Sequence, residues 1–407
     1  HLENPYTLSK TYQRWVNRQF RVLTKSLKIF QSRGSKRLRA SFAAFKKKEK
    51  HWLDDYAMFM AIKDHFKGKP WNKWPTGLAN RKPAMMKAWK KKLRDGIEFR
   101  MYCQWIFFRQ WAHLKKYANN KGIDIMGDLP FFVRYDSEDV WQNKKLFLLD
   151  KRNRARVISG VPPDYFSSRG QVWDDPQYDW KAMERTDFAW WVERFQSAFS
   201  LFDFVRVDHF RGFRAVWHIK QGSKTARNGA WVSVPGEKLF RAIKKRIRAL
   251  PVVAEDLGFI TKDVVDLRKK LGFPGMHVMQ FGFSGSKNNY NYPDNFVRNS
   301  VAYTGTHDND TARGWITSSA RAVPRKNALK YTRVSKKDFA WKFLSKGMKS
   351  PANTFIVPMQ DVLNLGSQAR MNKPGTKKGN WQWRLGENLL TLSLARKLKK
   401  ITKAARR

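Results

Sequence analysis

The chain has 407 residues, with 82 Lys and Arg against 33 Asp and Glu for a formal net charge of +49, and it carries 18 Trp and 29 Phe. So much apolar material on so long a chain excludes wholesale disorder despite the charge. The one cysteine, Cys103, excludes an intramolecular disulfide framework and a thiolate zinc cluster, and no run of about 18 uncharged apolar residues is present to cross a membrane as a helix.

The start, His1-Leu2-Glu3-Asn4-Pro5, has neither the basic n-region nor the apolar h-region of a signal peptide, and no Met. The chain is therefore read as a fragment or processed product of a cytoplasmic protein, or of a plastid one if the source is plant-like. Residues 51–66 place Trp52, Tyr56, Phe59 and Met60 on one face of a helix. A second, aromatic-rich helix over 97–118 stops at Asn119-Asn120-Lys121-Gly122. Then the rhythm changes to short apolar runs at 123–126, 204–207, 252–254, 277–283, 301–304 and 355–359. Polar clusters such as Gly127-Asp128, Asp208-His209, Glu255-Asp256 and His307-Asp308 follow them. Helical stretches lie between, the clearest running from a Thr261 cap through Leu271 to Gly272 and Pro274. Strands alternating with helices, with polar residues at the strand ends, predict an α/β fold, a (β/α) barrel with its chemistry on one face. Residues 1–120 are read as a helical subdomain leading into a barrel over 121–385. An insertion is expected at about 129–200, and a basic C-terminal tail over 386–407, its stretch from Arg396 to Arg407 read as frayed.

The charge alone points to polyanions, since neutralised phosphates release counterions. The acids qualify that: 23 of the 33 fall between Asp124 and Asp310. This pattern fits an acidic active centre inside a basic shell, with incidental, salt-sensitive binding of nucleic acid. Period two in Phe204-Val205-Arg206-Val207-Asp208 puts Arg206 and Asp208 on one side. Glu255 arrives at the next strand end and Asp308 at a later one. Each acid alone has a plainer role available as a helix cap or ion pair. Three on one barrel face suit glycosyl transfer, as nucleophile, proton shuttle and brace of an oxocarbenium-like transition state. A metal reading of His209, His307, Asp308 and Asp310 is weaker, because no His-x-His pair occurs. No phosphate-binding glycine loop follows a strand, so neither cofactor nor metal is expected.

Several stretches closely resemble the amylomaltases, the 4-α-glucanotransferases of the α-amylase superfamily. They are Gly127-Asp128-Leu129-Pro130, Ser159-Gly160-Val161-Pro162-Pro163-Asp164-Tyr165-Phe166, Arg206-Val207-Asp208-His209-Phe210-Arg211-Gly212-Phe213, Ala254-Glu255-Asp256-Leu257-Gly258, Gly305-Thr306-His307-Asp308-Asn309-Asp310-Thr311 and Arg370-Met371-Asn372-Lys373-Pro374-Gly375. The resemblance implies a (β/α)8 TIM-type barrel and a retaining transfer of α-1,4-glucan between malto-oligosaccharides, starch or glycogen. Asp208 would be the nucleophile, with Arg206 keeping it ionised. Glu255 would be the acid/base, and Asp308 would grip the sugar hydroxyls beside His307. Asp128, Asp256, Gln171, Trp173 and Asn372 match substrate-contacting positions, and Tyr12 an acceptor-site tyrosine. Tyr165 joins Trp173 as a flat apolar face for sugar rings.

Three departures from the family pattern stand out. Nothing before Tyr12 matches the family's first two barrel strands, so this chain is expected to hold strands three to eight, to be marginally stable and to be feebly active. Asp174-Asp175 stand where the family usually has Gly-Asn, placing two charges beside a sugar site. Ser284-Gly285-Ser286 replace a segment often acidic. The competing reading is an inactive relative that binds glucan, or binds polyanions without specificity.

Overall fold

The computed structural model describes residues 10–163, 167–376 and 378–407, with side chains from residue 14 onward. The described strands are β1 (Met126–Leu129), β2 (Val157–Val161), β3 (Gln171–Pro176), β4 (Phe204–Val207), β5 (Ala215–Lys220), β6 (Gly229–Ser233), β7 (Val252–Ala254), β8 (Gly275–Val278), β9 (Ser300–Tyr303) and β10 (Thr354–Ile356). The chain divides into two compact units. One is His1–Phe204 with Ala215–Arg248, the other Val205–Arg214 with Ala249–Arg407.

The second unit holds a run of parallel strands in chain order. β4 pairs with β7 in the register Val205↔Val252, Arg206↔Val253, Val207↔Ala254. The Ala254 N–H donates to the Pro274 carbonyl at 2.9 Å, tying β7 to the start of β8. β8 pairs with β9, Gly275↔Ser300 through Val278↔Tyr303, and β9 with β10, Tyr303↔Ile356. Helix Lys262–Leu271 connects β7 to β8, and helices Ala322–Thr332 and Phe339–Met348 lie between β9 and β10. Parallel neighbours require such crossovers, and strands covered on both faces read as unbroken apolar runs. Val205, Val207, Val252, Val253 and Ala254 are all buried. Beneath the later strands Met279, Phe283, Trp315, Phe339 and Phe343 form an aromatic core, each buried side chain contributing about 1.5–3 kcal/mol.

Two of the six expected strands, 204–207 and 252–254, fall where the apolar runs place them, and the others shift for local reasons. The first begins later, because the Ile125 N–H and carbonyl bond to the Asp203 carboxylate and N–H at 2.8 and 2.9 Å. β8 begins earlier and gives way to a 3₁₀ turn over Met279–Phe281. β10 ends two residues before Pro358, which precedes the short helix Met359–Val362.

In the first unit the expected helices are Lys50–His65 and Arg94–Asn119. The buried face of the former is rotated from the expectation: Leu53, Ala57, Met58, Phe59, Ala61 and Ile62 are buried, whereas Trp52, Tyr56 and Met60 are only partly so. The same unit contains an antiparallel sheet in the order β3-β2-β5-β6, which the apolar runs did not announce. The frayed basic tail is also corrected, because Leu392–Ala404 is a helix whose first turn is capped by Thr391 accepting from the Leu394 N–H. Its Leu394, Leu398 and Ile401 pack on Leu344, Met348 and Val362, and Arg407 donates to the carbonyls of Met348, Ser350 and Asn353.

Candidate active site

The β4–β7 register puts Asp208 and Glu255 side by side. Each is the first residue beyond the paired Val207↔Ala254, and the Glu255 N–H still donates to the Val207 carbonyl at 3.0 Å. Neighbouring strands run about 4.8 Å apart, so two carboxylates leave adjacent strand ends together. Arg206, two residues back on the same side, donates from Nη2 to Asp208 Oδ1 at 2.8 Å. His209 then takes the left-handed backbone, φ +47°. This turn lets its N–H donate to Glu255 Oε2 at 2.8 Å, while the Leu257 N–H donates to Oε1 at 3.1 Å. Burial, with the Asp208 charge adding to it, pushes the Glu255 carboxyl up to about 8 against the opposing pull of Arg206. Burial also pushes His209 down to about 3, with Arg211 reinforcing the shift, so its imidazole is neutral.

After β9 the chain forms a second cluster. Asn309 Oδ1 accepts from the Thr306 N–H and hydroxyl, both at 2.9 Å, fixing the turn that presents His307 and Asp308. His307 Nε2 lies 3.5 Å from Asp308 Oδ1. Asn372 Nδ2 donates to that same oxygen at 2.6 Å, and the Asn372 N–H to the His307 carbonyl at 3.0 Å. Arg370 Nη2 donates to the Asp308 carbonyl at 2.6 Å. Behind the turn Asp361 accepts from Thr304 Oγ1 and the Ala312 N–H, and Asp310 from the hydroxyls of Ser319 and Ser367. Burial pushes Asp361 up to about 6. Arg370, Asp361 and Trp381 had no role in the sequence reading. Arg370 stands within a quoted motif, whereas Trp381 had no local signal beyond being an aromatic in a polar stretch.

The remaining expected residues have other surroundings. The Asp256 carboxylate is enclosed, with Arg268 Nε 2.9 Å from Oδ2 and the Met276 N–H donating to Oδ1 at 2.7 Å. Asp128 (on β1), Gln171 and Trp173 (on β3) belong to the other compact unit. Trp173 Nε1 donates to Gln171 Oε1 at 3.3 Å, and its ring lies against Phe132. Of the two charges expected beside it, Asp174 is exposed at φ +63°. Asp175 is instead buried, 3.2 Å from Arg134, and lifted by that burial to about 7. The Tyr12 side chain and Tyr165 lie outside the described residues. Among the described residues no three His, Cys, Asp or Glu side chains gather as a metal centre, and no helix is long and apolar enough to cross a membrane.

Comparison with known proteins converges on one family. The family model for glycoside hydrolase family 77, described as 4-alpha-glucanotransferase, matches residues 3–390. The chain is 43% identical to a 4-alpha-glucanotransferase of Clostridium butyricum over 389 residues, 95% of this chain and 79% of that protein. It is equally identical to the 4-alpha-glucanotransferase of Thermus thermophilus over 396 residues, with the same coverage of each. Amylomaltase from Streptococcus agalactiae, solved in complex with acarbose, superposes with a TM-score of 0.92 at 37% identity, covering 96% of this chain and 79% of that one. These matches support the barrel class and do not favour a non-catalytic polyanion binder. The paired strand-end carboxylates thus stand in the 4-alpha-glucanotransferase family, to which this chain belongs.

Proposed function

We propose that the chain transfers α-1,4-glucan segments between malto-oligosaccharides by double displacement at Asp208 and Glu255. The observation that carries this reading is the contrast between these two adjacent carboxyls. Asp208 accepts from the Arg206 guanidinium at 2.8 Å, while burial raises the Glu255 carboxyl to about 8. In the first step Asp208 attacks the anomeric carbon and the glycosidic C–O bond breaks. Glu255 gives its proton to the departing 4-oxygen, leaving a β-glucosyl ester on Asp208 and an ionised Glu255. In the second step an acceptor 4-hydroxyl gives its proton to Glu255 and attacks the same carbon, releasing Asp208. Two inversions give net retention. Asp308, held by Asn372 and beside His307, is proposed to accept hydrogen bonds from the reacting sugar's hydroxyls. Asp128, Gln171 and Trp173 are proposed to contact the rest of the glucan. Asp256, enclosed by Arg268, is proposed to act behind the site rather than on the sugar.

Maltotriose tests this reading. Transfer should yield glucose together with a ladder of longer chains, and Asp208→Asn should abolish both. A digest that gives glucose and maltose without any longer chain would make the protein a hydrolase.

A further inference from the structure

We infer that Trp381 is a positioning residue for this reaction, acting through His307. The inference rests on the role proposed above for the His307–Asp308 pair. Trp381 belongs to the loop that brackets this pair, and its indole lies against the His307 imidazole with ring centroids 5.2 Å apart, tilted by 37°. His307 Nε2 faces Asp308 Oδ1 at 3.5 Å, and Asn372 grips that oxygen at 2.6 Å. Indole, imidazole and carboxylate therefore follow one another in contact, and the last member is the acid that would hold the sugar hydroxyls.

Two observations set this contact apart from core packing. Trp381 is 46% exposed, so burial does not explain its place. Its backbone is left-handed at φ +59°, a strained conformation for a non-glycine residue that persists only where its surroundings hold it. The Trp381 N–H donates to the Met371 carbonyl at 2.6 Å, one residue before the Asn372 that holds both His307 and Asp308. The turn is thus anchored at the bracket itself, and the strained residue projects its ring over the histidine. Without the indole, His307 gains freedom about its side-chain torsions, and the carboxylate loses one of its two lateral neighbours. The sugar then meets a mobile pair, and misplacement of about 1 Å at a reacting centre costs up to roughly a hundredfold in rate.

A double-mutant cycle with maltotriose, read as kcat and KM separately, tests the inference. Trp381→Ala should lower kcat by roughly ten- to hundredfold while moving KM little, and Trp381→Phe should recover most of the rate. In a His307→Ala background the same Trp381→Ala change should cost nothing further. Trp381→Gly suits the left-handed backbone, so it should melt no lower than the parent yet be as slow as Trp381→Ala, separating the ring's role from that of the fold. Equal losses in both backgrounds, or a raised KM at unchanged kcat, would overturn the inference. Asp308→Asn, measured alongside, tests the site itself. Full activity there removes the site reading, whereas loss there together with an additive cycle removes only the role of Trp381.

Discussion

Glu255 and Asp256 are consecutive carboxylates at the end of one strand, and they have opposite surroundings. Glu255 is half-buried as a residue and held through two backbone N–H groups, with both Asp208 and Arg206 acting on its carboxyl. Asp256 is closed in, with the Arg268 guanidinium on one oxygen and the Met276 N–H on the other. Period two explains the split, since successive side chains leave a strand end on opposite faces. One neighbour opens toward the strand-end site and the other locks β8 to the helix before it. Acidity alone therefore marks no residue as catalytic. What distinguishes Glu255 is a carboxyl raised by burial beside a carboxylate that accepts directly from Arg206.

The largest test of this contrast is Glu255→Gln, which keeps shape and removes the proton. It should lower transfer from maltotriose by roughly 10²–10⁴ without lowering the thermal midpoint, since Gln escapes the cost of ionising a buried carboxyl. An activated glucosyl fluoride donor should suffer less, because its leaving group needs little protonation. Equal losses on both donors would move the acid/base role elsewhere. The matching change on the other face is Arg268→Met, which leaves the Asp256 charge buried and unpaired. Breaking such a pair costs about 3–5 kcal/mol, so the midpoint should fall by about 2–4 °C per kcal/mol. KM for maltotriose measured well below the midpoint should stay close to the parent's. A raised KM with unchanged stability would return Asp256 to the sugar site.

A smaller effect sharpens the first. Burial raises the Glu255 carboxyl to about 8, so kcat/KM should fall about tenfold per pH unit once pH passes that value. The Asp208 charge helps to raise Glu255, so Asp208→Asn should lower the Glu255 titration midpoint, as followed by carboxyl NMR. An unchanged midpoint would mean that burial alone sets it.

The strand ends that carry charge were legible because parallel, doubly covered strands leave unbroken Val-rich runs, and a polar cluster must follow where the strand emerges. The runs at 204–207 and 252–254 show this. The antiparallel sheet was not legible. Its strands, such as Gly229–Ser233 with Trp231 exposed, carry no buried alternating face to mark them. The C-terminal helix was missed for a different reason, since five Lys and Arg are interspersed among its apolar residues and mask the spacing of Leu394, Leu398 and Ile401. Trp381 was illegible because its partner, His307, lies far away in sequence and only the fold joins them. The apolar runs put Asp208 and Glu255 at strand ends, just past Val207 and Ala254, whereas Asp308 lies in a turn beyond β9. Resemblance to a family gave Asp256 a substrate contact that its ion pair with Arg268 does not suggest.

The smallest expected effect concerns a third carboxylate, distant in sequence from either member of the pair. Glu138 opens helix Glu138–Gln142 in the first unit, and burial, with Asp139 and Asp55 adding to it, raises its carboxyl to about 8 while Arg81 opposes the rise. Like Glu255 it is a raised acid, but no ionised nucleophile faces it across a strand pair. If pairing makes the site, Glu138→Gln should leave transfer unchanged. Its signature should be thermal. A carboxyl raised above its unfolded value favours folding while protonated and opposes it once ionised, so this contribution is present below about pH 4.5 and is lost as pH climbs through about 8. Gln carries no such penalty. The variant should therefore match the parent at acidic pH, pull ahead as pH rises, and hold a constant lead above pH 8, with each 1 kcal/mol appearing as about 2–4 °C. A constant difference at every pH would mean that Glu138 acts through its shape rather than its charge. Lost transfer activity would break the contrast drawn between a raised acid that has a partner and one that has none.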